Sequence, residues 1–178
     1  NMTEERKVVM NNLEAHLILC SKEGSFAEAV RIREDLAKHD GYFNPDQFSN
    51  PLNVECHYKT TGQEIISQMN QDGKKIDAFV AGVGTGGTLI GVGKALREKF
   101  PDVKIFAVEP FESAVMSGGT QGEHIISGIG DGFIPQIVLD SNGNINEMIN
   151  GVIRIKSEDA RKASIYLGDN YMKCVGIS

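Results

Sequence analysis

The sequence lacks several features that direct a chain to particular classes of protein. It has no tryptophan, few aromatic residues and no apolar run long enough to cross a bilayer. The opening residues also carry no secretory pattern of a basic stretch followed by an apolar one. These absences predict a soluble, intracellular protein of the cytoplasm with no membrane partner.

Cysteine and histidine are both scarce and scattered. The three cysteines, Cys20, Cys56 and Cys174, are far apart and form no C-x-x-C pair, and the four histidines never approach metal-ligand spacing. An odd number of dispersed cysteines is typical of reduced thiols in a cytosolic protein. We therefore expect neither a disulfide framework nor a metal site.

The chain also has no cluster of positive charge. Its formal net charge is −6, and its lysines and arginines occur mostly singly. This pattern argues against a nucleic-acid partner, which requires a basic face. A length of 178 residues is sufficient for one ordinary hydrophobic core.

A glycine-rich turn is the most informative feature that is present. An apolar, strand-like segment from Asp77 ends at Gly84-Thr-Gly-Gly-Thr88, and an apolar-periodic helix is predicted over 89–100. Glycines permit a tight turn, and threonine hydroxyls there lie beside the free N–H groups of a helix N-terminus. Such a site suits a phosphate-bearing cofactor.

The remaining periodicity predicts an α/β protein with a mostly parallel, twisted sheet and flanking helices. Helices are predicted over 3–12, from Ser25 with a capping box to Glu28, over 53–69 with Gly62 inside, and from a cap at Ser157 to about 172; strands are predicted over 17–20, 103–108 and 152–155. The long segment 110–135 has little periodicity, and loops of that length are usually functional.

The glycine pattern alone leaves the ligand open. Gly82, Gly84 and Gly87 match G-x-G-x-x-G, and Glu109 lies where a dinucleotide fold places the acid that binds ribose. The alternative is that Glu109 only caps a strand end. Dinucleotide binding, binding of a single phosphate and a purely structural turn all remain possible on this pattern.

Five motifs occur in an order and spacing that resemble the cysteine synthase family, also called O-acetylserine sulfhydrylases. They are Gln47-Phe-Ser-Asn-Pro51, Lys59-Thr-Thr-Gly62, Ala81-Gly-Val-Gly-Thr-Gly-Gly-Thr-Leu89, Ala107-Val-Glu-Pro110 and Gly128-Ile-Gly-Asp-Gly-Phe-Ile-Pro135. These are pyridoxal-phosphate enzymes of the tryptophan-synthase β-subunit type, with a two-domain fold (fold type II). The resemblance implies a remainder of the smaller N-terminal domain over 1–45 and a larger cofactor-phosphate domain over 46–178, truncated at its C-terminus.

The resemblance also implies roles for particular residues. The cofactor phosphate is expected in a cradle of five consecutive residues, Gly84, Thr85, Gly86, Gly87 and Thr88. Gly128 is expected beside the cofactor, and Gln47 is expected to help hold the substrate carboxylate. No catalytic residue is predicted, because the sequence has no match to the family's S-x-K-D-R-like motif with its cofactor-bearing lysine. A polypeptide limited to these residues is therefore expected to be inactive.

For the full-length enzyme, the resemblance implies replacement of the acetate of O-acetylserine by sulfide to form cysteine. A homodimer is implied, and serine acetyltransferase is a candidate partner. A cystathionine β-synthase-like enzyme, a nucleotide-binding module of the NAD type and a non-catalytic fragment that acts by association are the alternatives.

Overall fold

The computed structural model describes residues 4–21 and 25–178, without the side chains of 25–27. The chain divides into two compact units, residues 1–44 and 45–178. This division lies next to the boundary that the resemblance implies. That the two units correspond to the family's two domains stays a prediction.

The first unit contains two helices, α1 (Glu4–Asn12) and α2 (Ser25–Leu36), close to their predicted limits. The strand predicted over 17–20 is wrong, because this segment has no regular structure and the side chains of Ile18 and Leu19 are exposed. A strand requires a pairing partner, and the described residues of this unit form none. The predicted cap at Ser25 lies outside the described side chains. The Glu28 carboxylate accepts hydrogen bonds from the N–H and hydroxyl of Ser21 at 2.7 and 2.8 Å.

The second unit contains a parallel sheet, as predicted. Its strands are β1 (Ala78–Gly82), β2 (Lys104–Pro110) and β3 (Gly151–Ile155), in the order β1-β2-β3. Ala81 pairs with Ala107, which pairs in turn with Val152. Helix α5 (Gly87–Lys99) connects β1 to β2 and thereby completes the expected βαβ unit.

The hydrophobic core lies between α5 and the sheet. Leu89, Val92 and Leu96 on the helix and Ile105 on β2 are completely buried. These residues recur at helical spacing, so one face of α5 supplies much of the core. The glycine-rich turn at the start of α5 is therefore attached to a helix that is buried in the core.

Two helices replace the single one predicted over 53–69. They are α3 (Pro51–Lys59) and α4 (Thr61–Gln71), separated at Thr60, whose φ and ψ are −113° and −84°. Asn50 caps α3, because its side chain accepts a hydrogen bond from the Leu52 N–H at 3.0 Å. Gly62 lies at a close contact between helices, because a Cβ at this position would lie 2.6 Å from the Cβ of Ala95.

Helix α6 (Ser157–Tyr171) is the last regular element of the described residues and lies near its predicted limits. The prediction that Ser157 is its N-cap is wrong. Ser157 is the first helical residue, and its N–H donates to Oε1 of Glu112 at 2.8 Å. A carboxylate from a distant segment thus satisfies the helix end. Across the described residues, no helix has the length and apolar character that a membrane span requires.

Candidate cofactor-binding site

The glycine-rich turn joins the end of β1 to the start of α5. Gly86 has a φ of +85°, and the first bond inside the helix runs from the Ile90 N–H to the Gly86 carbonyl at 3.0 Å. The amides that precede Ile90 therefore have no acceptor within the helix. The first turn of α5 also contains no acidic residue. Both features favour an anion at this N-terminus.

The glycines of the turn are required by the surrounding protein. A Cβ at Gly84 would run into the carbonyl oxygen of Gly128, and one at Gly86 would run into the side chain of Val138. A Cβ at Gly87 would overlap the side-chain amide of Asn53. These three positions are therefore crowded by the protein itself.

The hydroxyl of Thr85 is set up as a donor. Its oxygen accepts hydrogen bonds from Nδ2 of Asn53 at 3.0 Å and from the Gly87 N–H at 3.2 Å. A hydroxyl has two acceptor positions and one proton. Since both acceptor positions are in use, the Thr85 hydroxyl has only its proton left to offer, and an anionic oxygen is a suitable acceptor.

Thr88 belongs to a second chain of hydrogen bonds. Its hydroxyl lies 3.2 Å from Nε2 of His57, and Nδ1 of His57 lies 3.0 Å from the hydroxyl of Thr61. Neutral imidazole has one donor and one acceptor nitrogen. The tautomer with its proton on Nε2 donates to Thr88 and leaves the Thr88 proton available to an anion.

Gly128 lies beside the turn. Its carbonyl contacts Gly84, and two residues later the Gly130 N–H donates to the carbonyl of Val83 at 3.2 Å. Gly128 has a φ of +88°, and no atom lies within 4 Å of the position that its Cβ would take. The structure therefore brings Gly128 to the turn and leaves space beside it. Its contact with a cofactor stays a prediction.

Gln47 is connected to the same turn through one residue. Its side chain is exposed, and its main-chain carbonyl accepts a hydrogen bond from Nδ2 of Asn53 at 2.9 Å. Neither Asn53 nor His57 stands out in the sequence by itself. Their spacing of four residues places them on one face of α3, opposite Thr85 and Thr88 at the start of α5. The four-residue spacing of these two polar residues within a predicted helix was the available signal.

Glu109 is fully occupied by structural hydrogen bonds. It is buried, and its carboxylate accepts from the Met116 N–H at 2.8 Å and from the N–H and hydroxyl of Ser117 at 3.1 and 2.5 Å. A buried carboxylate held by three donors is not free to bind a ribose hydroxyl. The alternative of an NAD-type nucleotide site therefore loses the acid on which it depended.

Three further ionisable residues, Glu112, His124 and Asp131, interact with one another in the segment that follows β2. Nε2 of His124 is 3.0 Å from the Gly130 carbonyl, to which it donates. Burial raises the pKa of the Asp131 carboxyl, against the attraction of His124. Burial also acts to raise the pKa of Glu112, but hydrogen bonds from Ser157 and from the Glu112 main chain, together with the charge of His124, outweigh it and leave the pKa below its usual value. These residues support the segment 111–131, and none of them lies at the cradle threonines.

The donors fit a phosphate ester, and comparisons with known proteins agree. A family model described as pyridoxal-phosphate dependent enzyme matches residues 1–175. The chain belongs to this family, whose cofactor is pyridoxal phosphate. The tight turn, the uncompensated helix N-terminus and the donor hydroxyl of Thr85 are consistent with that cofactor's phosphate group.

Individual relatives indicate which kind of pyridoxal-phosphate enzyme this chain resembles. The chain is 42% identical over 164 residues to a cysteine synthase from Staphylococcus aureus, covering 92% of this chain and 50% of that protein. A cysteine synthase structure from Entamoeba histolytica matches with a TM-score of 0.85 at 35% identity, over 99% of this chain and 50% of the other. An O-acetylserine dependent cystathionine β-synthase from Helicobacter pylori also has a TM-score of 0.85, at 30% identity, over 98% and 54%. The chain thus spans about half the length of these relatives.

Proposed function

We propose that the complete protein is a cysteine synthase, a transferase that replaces the acetate of O-acetylserine with sulfide to form cysteine. The observation that carries the proposal is the Thr85 hydroxyl, limited to donation by two hydrogen bonds and located at an uncompensated helix N-terminus. The identity to cysteine synthase over most of this chain supports the choice of reaction.

The roles proposed for this part of the protein are binding and orientation. The amides in the first turn of α5, other than that of Gly87, which donates to Thr85, and the hydroxyls of Thr85 and Thr88 hold the phosphate by hydrogen bonds that gain strength from its charge. Gly128 leaves room beside the turn, and Gln47 binds the substrate carboxylate. Because α5 is anchored in the core, these donors keep a fixed position, which is what orientation of a reacting group requires.

When bound, pyridoxal phosphate supplies an electron sink for negative charge at the α-carbon of an amino acid. The residues described here contribute the fixed end of that arrangement. The sequence has no match to the family's lysine motif, so the activity is proposed for the whole protein. The 178-residue polypeptide by itself is expected to form no cysteine.

The cradle can be tested by comparing two ligands that differ only in the phosphate. The complete protein, freed of cofactor, is titrated with pyridoxal phosphate and with pyridoxal by equilibrium dialysis. Wild-type protein should prefer pyridoxal phosphate, and Thr85→Val should reduce that preference about tenfold, since one charge-assisted hydrogen bond is lost. Thr120→Val, at an exposed loop threonine, is the matched control and should change nothing. Equal affinity of wild-type protein for the two ligands would refute the cradle.

The reaction is tested by product. With O-acetylserine, the complete protein should form cysteine from sulfide faster than cystathionine from homocysteine. The opposite order of rates would favour the cystathionine β-synthase alternative, which the similarity to the Helicobacter pylori structure supports.

We also propose that the complete protein acts as a cytoplasmic homodimer that binds the C-terminal tail of serine acetyltransferase. Family resemblance supports both assemblies, and the described cysteines, all without disulfides, suit a reducing compartment. Sedimentation should give twice the monomer mass. If a peptide with the sequence of that tail fails to bind the complete protein, the proposed association with serine acetyltransferase is refuted.

A further inference from the structure

Asn53 is the point at which the Gln47 loop, the Thr85 hydroxyl and the start of α5 meet. It is the third residue of α3 and is half-buried. Its Nδ2 lies 2.9 Å from the Gln47 carbonyl and 3.0 Å from Oγ1 of Thr85. A side-chain amide has two N–H groups, so these two contacts use both of them.

The orientation of the Asn53 amide follows from its partners. The Gln47 carbonyl can only accept, so the atom that faces it must be the nitrogen. The oxygen of the amide then lies against Gly87, in the space that a side chain at position 87 would occupy. One amide group therefore contacts both sides of the glycine-rich turn and the segment that precedes α3.

This arrangement controls what Thr85 can do. With the Asn53 donor present, both acceptor positions of the Thr85 oxygen are in use and its proton must be donated elsewhere. Without that donor, one position is free, and the hydroxyl can rotate or accept from water. Loss of the Asn53 N–H groups also releases the Gln47 carbonyl.

We propose that Asn53 is a positioning residue that couples the phosphate cradle to the segment carrying Gln47. The inference rests on the function proposed above, since it assigns to Asn53 the task of aligning two binding elements of that site. Binding of the cofactor phosphate and binding of the substrate carboxylate then share one hydrogen-bonded support. A defect at Asn53 should weaken both together.

The variants Asn53→Asp and Asn53→Ala test this in the complete protein. Asn53→Asp keeps the shape of the side chain but replaces the donor with a negative charge that faces the Gln47 carbonyl and Thr85. Asn70→Ala, at an exposed asparagine on α4, is the control. Urea denaturation of each variant shows whether it remains folded, and Asn53→Ala serves where the charge prevents folding.

Two quantities are measured: the preference for pyridoxal phosphate over pyridoxal, by equilibrium dialysis, and the apparent affinity for O-acetylserine in cofactor-loaded protein, as its KM. We expect both Asn53 variants to lose about tenfold in each, in line with the loss of a charge-assisted contact. Thr85→Val should lower the first ratio and leave the affinity for O-acetylserine nearly unchanged.

Three outcomes overturn the proposal. In the first, both Asn53 variants keep the phosphate preference of wild-type protein. In the second, the phosphate preference falls while the affinity for O-acetylserine stays constant. In the third, Asn70→Ala produces the same losses as the Asn53 variants. These results differ from failure of the proposed function, which appears in wild-type protein as no preference for the phosphate or no cysteine formed.

Discussion

Two glycines on the same helix should respond in opposite directions to the same substitution. Gly91 and Gly93 are both buried in α5, where alanine has a helix propensity about 1 kcal/mol better than glycine. A Cβ at Gly91 would run into the main-chain carbonyl of Val54 and lie 2.7 Å from the Cβ of His57. A Cβ at Gly93 would have its nearest neighbour, the terminal methyl of Met148, at 3.3 Å.

The difference lies in what must move. The atoms around Gly91 belong to the backbone of α3 and to the base of a side chain, so relief requires the two helices to separate. Overpacking of this kind costs about 3 kcal/mol at its upper range, which the propensity gain of about 1 kcal/mol reduces to a net loss of about 2 kcal/mol. At Gly93 the flexible end of Met148 can shift by a few tenths of an ångström. Most of the propensity gain, up to about 1 kcal/mol, should therefore remain.

Urea and thermal denaturation of the two variants and of wild-type protein measure this contrast. Gly91→Ala should lower Tm by about 4 to 8 °C, and Gly93→Ala should raise it by about 2 to 4 °C, at the 2 to 4 °C per kcal/mol usual for this chain length. Two shifts of the same sign would refute the packing explanation. Because α3 also carries Asn53 and His57, Gly91→Ala should weaken cofactor binding as well.

Two other substitutions test the electrostatics of the second unit. Glu109→Gln should destabilise the protein by about 1.5 to 3 kcal/mol, since it removes the charge that holds two N–H groups and a hydroxyl. The urea midpoint measures this loss, and Glu123→Gln, at an exposed glutamate, is the control. An unchanged midpoint for Glu109→Gln would contradict the prediction. Burial raises the pKa of the Asp131 carboxyl, so ionising this group costs folding free energy at a pH above its folded-state pKa. Asp131→Asn should therefore stabilise the protein in that range, as urea midpoints measured across pH will show. As the pH falls through the folded-state pKa towards the unfolded value near 4, the carboxyl is protonated in the folded protein first. The stability of wild-type protein should therefore approach that of the variant. If the stability advantage of the variant instead grew towards pH 4, the raised pKa of Asp131 would be wrong.

The parts of the fold that depend on local sequence were predictable. The apolar runs of β1, β2 and β3 and the periodic face of α5 identify parallel strands joined by a crossover helix, and the structure confirms them. The break at Thr60 was not predictable in the same way. Neither proline nor glycine occupies that position, and the helices on its two sides pack against the core separately, α3 through Val54 and α4 through Ile65 and Ile66.

The sequence predicted the glycine-rich turn of the candidate site, but it did not predict the residues that hydrogen-bond to that turn. Glycines and threonines at 84–88 form a contiguous pattern, whereas Asn53 and His57 reach them from about 30 residues earlier in the chain. Glu109 shows the same limit, because its partners Met116 and Ser117 follow it in an irregular segment. Spacing alone could not distinguish a ligand-binding acid from a buried structural one.

The order of the strands has a practical consequence for work with the 178-residue polypeptide. Within the described sheet, β1 and β3 each pair on one side only, and Val80 on β1 is 51% exposed. Bare strand edges with apolar side chains template the addition of another strand. Purified alone, this polypeptide is expected to self-associate through these edges as its concentration rises, and dilute, low-temperature handling should keep it dispersed.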